Sequence, residues 1–169
     1  ELAKFQKWYG TPTERFTLLP PGIARDRVAG IDAPLIRCQT RQVLRCSEEE
    51  RVLLQVGSAF RTKGVDRSLL AIAALPEQLR RNVRLLVAGR GETPPLERLA
   101  SKLGLARQVT FLGARDDVPQ LLLAADLLLH PARTENTGTV LLEAMAAGLP
   151  VLTTANCGYA GHVLAGEGG

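Results

Sequence analysis

Histidine and cysteine are scarce in this chain of 169 residues, which has two of the former and three of the latter. Cys38, Cys46 and Cys157 are odd in number and show no C-x-x-C spacing. With only His130 and His162 beside them, a zinc site is not expected, and a reducing cytoplasm fits best. Long apolar runs are missing too. None reaches the roughly 18 residues that a membrane span needs, and no signal peptide heads the chain. An excess of one charge sign is absent from most of the sequence. Residues 1–46 hold eight Lys/Arg against four Asp/Glu, and the remaining thirteen of each cancel, so the net +4 lies ahead of the first clear strand. That placement points to phosphates or an anionic membrane surface as a partner, or to a solvated basic linker.

Two nucleotide fingerprints are also missing. Gly89-Arg90-Gly91 opens like a dinucleotide loop, but Pro94 stands where the third glycine belongs. Gly57 to Gly64 reads GSAFRTKG, with its lysine before the second glycine instead of after it, so it is not a P-loop. What is present is enough apolar residue, 46% of the chain, for one core of ordinary size.

Glu1 to Tyr9 has helical spacing at Leu2, Phe5 and Trp8-Tyr9, and Gly10 and Pro12 break it. Phe16 to Leu19 is a short strand candidate closed by Pro20-Pro21-Gly22. Residues 24–47 show no steady period and read as a linker or mobile loop. From Val52 short apolar runs alternate with helical segments. The expected strands are Val52–Val56, Val83–Ala88, Val109–Leu112, Leu127–His130 and Val151–Thr153. The expected helices are Val65–Leu75, Pro95–Leu103 with Thr93 as cap, Val118–Ala124 and Thr139–Ala147. This alternation predicts an α/β fold, a Rossmann-like doubly wound parallel sheet with right-handed crossovers. Ligands of such sheets sit beyond the carboxyl ends of the strands. The loops there are Gly57–Gly64, Gly89–Thr93, Gly113–Asp117 and His130–Gly138.

The stretch from Ala125 to Thr154 is the most informative. Leu127-Leu128-Leu129 is a bounded apolar run, and His130-Pro131 ends it because proline cannot donate to a central ladder. Glu135-Asn136-Thr137-Gly138 is a polar turn in which Asn136 or Thr137 would cap the next helix. Val140 to Ala147 has a single polar residue, Glu143, and is expected to be a buried helix. A carboxylate there is costly unless donors satisfy it. It pairs with an internal arginine or amide, or it accepts two hydrogen bonds from a vicinal diol such as a ribose. Glu135 precedes a helix N-terminus, where acids are common and where the dipole favours anions. Arg61 and Lys63 lie near another helix start, which suits a diphosphate or an ordinary solvated turn.

Glu135-x7-Glu143, set between LLHPA and EAMAAGLPV, resembles the donor-site motif of retaining GT-B glycosyltransferases, the glycosyltransferase family 4-like group. The resemblance implies that this chain is the C-terminal, donor-binding half of a GT-B fold. Glu135 would face the donor sugar and Glu143 would bind the nucleotide ribose. Gly138, Thr139 and Val140 would line the sugar and phosphates. Val56-Gly57 followed by Lys63-Gly64 resembles the phosphate-binding loop. Members often carry an arginine one residue after that first glycine, where this chain has Ser58. The second cation would then be Arg61 or Arg27. Phe111 to Val118 resembles the loop that packs on the nucleobase, with Arg115 beside it.

Leu19-Pro20-Pro21-Gly22-Ile23, QVGSAFRTKGVDRS, HPARTENTG and GLPVLTTANCGYA together resemble a narrower set, the UDP-glucose-dependent transferases of lipopolysaccharide-core assembly. These move glucose to an inner-core heptose at the cytoplasmic face of the inner membrane, which implies peripheral membrane contact. The resemblance implies UDP-glucose or a related UDP-sugar as donor, the lipopolysaccharide core as acceptor, and no nucleic acid, cofactor or metal. Residues 1–47 would be the end of the acceptor domain with its linker. Residues 48–169 would be the nucleotide-sugar domain, cut short at its C-terminus. A non-catalytic nucleotide-binding module and a UDP-sugar epimerase of the same fold stay open as alternatives.

Overall fold

The computed structural model describes residues 2–17, 19 and 22–166. Its centre is a five-stranded, all-parallel sheet in the order β3-β2-β1-β4-β5. The strands are β1 (Arg51–Val56), β2 (Val83–Ala88), β3 (Val109–Gly113), β4 (Leu127–His130) and β5 (Val151–Thr153). Each of the five strands expected from Val52 onwards is present, within one residue at either end. Short apolar runs survive as buried parallel strands because helices cover both faces.

The helices are α1 (Leu2–Tyr9), α2 (Ala33–Val43), α3 (Val65–Ala73), the single turn α4 (Glu77–Arg80), α5 (Pro94–Lys102), α6 (Val118–Ala124), α7 (Thr139–Ala146) and α8 (Ala160–Ala165). Two 3-10 turns occupy Thr13–Arg15 and Arg25–Arg27. Alternate residues of the central strands feed two cores. Val52, Leu54, Leu86 and Leu128 pack with Leu121, Leu141 and Val163 from α6, α7 and α8. Leu85 and Val87 pack with Leu69, Ile72 and Leu96 from α3 and α5 on the other face.

The chain leaves β1 towards β2 and β3 on one side of the sheet, then crosses to β4 and β5 on the other. The order therefore reverses between β1 and β4, which are paired through Leu53–Leu127 and Leu54–Leu128. A crevice opens at such a reversal, beyond the carboxyl ends of the two strands.

Several expectations are corrected. Residues 24–47 are not a continuous loop, because α2 occupies eleven of them. Its most buried residue is Arg41, with Arg37 beside it on the inner side, so charge masks the apolar period there. Arg37 Nη2 donates to Asp126 Oδ1 at 2.5 Å, and Arg41 Nη1 donates to Asp126 Oδ2 at 3.2 Å. The Val52 amide also donates to Oδ2, at 2.7 Å. Arg41 is buried and donates as well to the carbonyls of Ser47 and Glu50. Phe16 and Thr17 form no strand, and the Pro20-Pro21 pair falls outside the described residues, as do 167–169. Thr93 stands at the N-cap of α5 without a side-chain hydrogen bond.

Burial alone would raise the Asp126 carboxyl, but the bonds from Val52, Arg37 and Arg41 hold it below the ordinary aspartate range. Its contribution to stability is therefore complete above about pH 4 and is lost as pH falls through the lower folded value. Asp126→Ala is expected to cost about 3 kcal/mol at pH 7, since it leaves two arginines uncompensated. Urea unfolding at pH 7 and at pH 3 checks this, with the gap to wild type shrinking in acid.

Candidate functional site

Two loops meet at the reversal point. The first, residues 57–64, leaves β1. Gln55, the one polar residue buried in that strand, donates from Nε2 to the Lys63 carbonyl at 2.7 Å and accepts from Ser68 Oγ at 2.7 Å. This fixes the main chain at Lys63. Ala59 lies in the left-handed region with φ +60°, an uncommon place for a side-chain-bearing residue, and its amide donates to the Arg90 carbonyl.

The second loop, residues 131–138, leaves β4 and is laced to the first. The Arg133 amide donates to the Thr62 carbonyl at 2.8 Å. The Arg133 guanidinium makes a paired contact with Asp66 at 2.6 and 2.7 Å and also reaches the Arg61 carbonyl. Gly64 has φ +71°, and a Cβ there would run into the Pro131 carbonyl oxygen. On its far side the second loop is held by the segment after β5. Glu135 and Cys157 form an isolated parallel bridge, and the Tyr159 amide donates to the Thr137 carbonyl.

This lacing brings Lys63 and Glu135 together. Lys63 Nζ contacts Glu135 Oε2 directly, with both side chains largely buried. His130 Nε2 lies 3.3 Å from the same oxygen. Burial would raise the Glu135 carboxyl, but Lys63 and His130 hold it below the ordinary range, so it stays ionised. Burial pushes the His130 ring the other way, downwards, and Lys63 adds to that while Glu135 opposes it. The imidazole is therefore neutral at pH 7.

Helix α7 begins just beyond. Gly138, in the left-handed region with φ +77°, is its N-cap. This corrects the expected cap at Asn136 or Thr137, since neither supplies a side-chain cap bond. A Cβ on Gly138 would press on Glu135 Cγ and on Leu141, which explains why the turn needs glycine there. The first amides of a helix have no partner within it and face the crevice with the positive end of the dipole. Thr139 is exposed and Val140 half-buried at this end.

Glu143 lies one turn further along α7. The helix is not buried all round, as its apolar composition implied. Glu143 keeps a fifth of its side chain accessible and faces the 3-10 turn at Arg25–Arg27. Arg27 Nε stands 3.9 Å from Glu143 Oε1, too far for a hydrogen bond, and 3.7 Å from Asp26. So Arg27 accompanies the second glutamate and does not join Lys63. Arg61 is exposed, two residues ahead of Lys63 in the same loop. Arg115 is tied to Asp117 at 2.5 and 2.7 Å in the loop after β3. A cavity of about 610 Å³ on the flank of the first loop, between Phe60, Leu96, Leu99 and Arg133, includes Arg61 but neither glutamate.

Comparison with known proteins settles the family. The model of glycosyl transferases group 1 matches residues 37–169. The chain belongs to that family. It is 53% identical over 163 residues to the lipopolysaccharide glucosyltransferase WaaG of Escherichia coli K12, covering 96% of this chain and 44% of that protein. It is 36% identical over 149 residues to a D-inositol 3-phosphate glycosyltransferase of Mycobacterium marinum, covering 83% of this chain and 30% of that one.

The crystal structure of WaaG superposes with a TM-score of 0.92 at 52% identity, over 98% of this chain and 45% of that one. The Anabaena protein Alr3699/HepE, crystallised with UDP-glucose, superposes at 0.76 with 28% identity, over 88% of this chain and 41% of that one. The chain thus spans less than half the length of the relatives named above, and the parallel sheet is that of a GT-B glycosyltransferase fragment.

Residues that sequence reasoning passed over are Gln55, Arg133 and Asp66. Gln55 left a trace, as a lone amide in an apolar strand. Arg133 and Asp66 left none, because they are far apart in the chain. Gly64→Ala should force Pro131 away and strain the backbone, at a cost of about 1–3 kcal/mol. Thermal unfolding of this variant measures the loss.

Proposed function

We propose that this chain is the donor-binding part of a retaining glycosyltransferase that moves a hexose, glucose, from a UDP-sugar to the heptose of the lipopolysaccharide inner core. The observation that carries this reading is the meeting of Lys63 and Glu135 at the β1–β4 reversal, beside the N-terminus of α7. The family and the 53% identity to WaaG support the same reaction.

The chemistry follows from charge. As the bond between the anomeric carbon and the diphosphate oxygen breaks, negative charge gathers on the diphosphate and positive charge on the sugar. Lys63, with Arg61 supplied from the same loop, stabilises the first, and the amides of Gly138, Thr139 and Val140 add to it. Glu135 lies on the sugar side, where it positions hydroxyls or opposes the positive charge. Glu143 takes the ribose hydroxyls, with Arg27 as its loose partner. Arg115 stands beside the nucleobase. The roles need no protein nucleophile.

In this reading residues 1–47 are the end of the acceptor domain and the crossing to the donor domain, and residues 48–169 are the donor domain. Among the described residues no helix is long and apolar enough to cross a membrane. Placement at the cytoplasmic face of the inner membrane is supported by the basic excess of residues 1–46.

Calorimetry with UDP tests the reading. Weak binding to this chain is expected, and no heat at concentrations where the intact transferase responds would sink it. Lys63→Ala should weaken UDP by tenfold or more, the scale of one charged hydrogen bond. In the full-length transferase it should lower turnover by about 10²-fold or more. Glu135→Gln should have the opposite effect on UDP. It frees Lys63 from its carboxylate, so UDP should bind more tightly while transfer is lost.

A further inference from the structure

Lys63 and Glu135 raise a difficulty. The lysine that would meet the diphosphate is already engaged by the carboxylate that would face the sugar. When a diphosphate arrives, its oxygens compete with Glu135 for the ammonium group, and Glu135 loses its main partner. Something else must then hold the carboxylate in place.

We propose that His130 is that holder, a positioning residue whose neutral ring donates from Nε2 to Glu135 Oε2 and keeps the carboxylate on the sugar side while Lys63 turns to the diphosphate. This rests on the donor-site reading above. His130 ends β4 and is fully buried. Its carbonyl accepts from the Thr153 hydroxyl at 3.2 Å and from the Thr154 amide at 3.4 Å, which pins the residue to β5. Glu135 Oε2, at 3.3 Å, is the hydrogen-bond partner of its ring, and Nδ1 is buried without one.

That asymmetry fixes the proton. A hydrogen on Nδ1 would be a buried donor with no acceptor, and would turn the Nε2 lone pair towards a carboxylate. A hydrogen on Nε2 gives the carboxylate a donor and leaves only a lone pair unmatched. The charged groups that face the ring are Glu135 from the loop after β4 and Lys63 from the loop after β1. Thr153 and Thr154, from β5 and the residue after it, are uncharged and bond the His130 carbonyl. Being neutral and out of solvent, the ring is not drawn by the diphosphate. A carboxylate oxygen accepts two hydrogen bonds, so Lys63 and His130 hold Oε2 together until the donor takes one of them away.

Two variants separate this role from a packing role. His130→Phe keeps the ring volume and removes the donor, whereas His130→Gln restores an N–H at the distance of Nε2. In the full-length transferase, His130→Phe should lower kcat by about 10- to 100-fold, the scale of a misplaced reacting group. Its affinity for UDP should stay within about threefold of wild type, because Lys63 and α7 are untouched. His130→Gln should recover most of the kcat. In the wild-type pH profile any ionisation of His130 should lie below the ordinary histidine range, since burial and Lys63 push the ring down.

Nitrogen-15 correlation spectra of the chain supply a readout independent of turnover. They should show the Nε2–H tautomer, unchanged when UDP is added. A proton on Nδ1, an imidazolium at pH 7, or a His130→Phe variant with wild-type kcat would overturn the proposal. So would a His130→Gln variant as poor as His130→Phe. Failure of the wild-type protein to bind UDP or transfer sugar would instead remove the donor-site reading, and this proposal with it.

Discussion

One carboxylate oxygen, Glu135 Oε2, ties the ends of two central strands together. Lys63 comes to it from the loop after β1, and His130 from the last position of β4. Those strands are neighbours, and the strand order reverses between them, so both loops are forced to the same crevice. The contact is an ion pair in a half-closed place, where desolvation works against it and hydrogen bonds must compensate. That balance suits a site that a charged ligand has to enter. A fully buried, fully matched pair would resist the exchange of Glu135 for phosphate oxygens.

The site is precise because the loops around it are not left to themselves. Loop 131–138 is strung between Arg133, bonded to Asp66 and Thr62, and the turn after β5, bonded to Thr137. Glycines let these main chains approach. A side chain on Gly158 would strike the Asn136 carbonyl, and one on Gly89 would strike that of Gly57. Glycines and cross-loop bonds together set the distance between Lys63 and Glu135.

The sheet was legible in the sequence because its strands are bounded apolar runs whose spacing leaves room for one helix each. The loops that bear the site followed from that arrangement alone. Other features could not be read. Helix α2 presents Arg37 and Arg41 inwards to Asp126, so charge replaces the apolar stripe that would have revealed it. The cap of α7 is glycine because a conformation was needed, not a side-chain acceptor. Glu143 was expected to be buried because its neighbours in sequence are aliphatic, but burial depends on what lies opposite, and that is a polar 3-10 turn. His130 showed as the end of a strand, while its relation to Glu135 depends on how the loop folds back.

The segment that runs from Arg25 to α2 has two attachments of very different strength. Before Gly30 it rests on α7 through the Ala29 amide, bonded to the Ala146 carbonyl at 3.0 Å, and through the long Arg27–Glu143 contact. After Gly30 it is anchored by two arginines on Asp126. A pull from the N-terminal side would therefore peel the chain off α7 and stop at α2, pivoting around residues 30–32. The pivot would carry Arg27 away from Glu143 and uncover the second glutamate, with the sheet itself undisturbed.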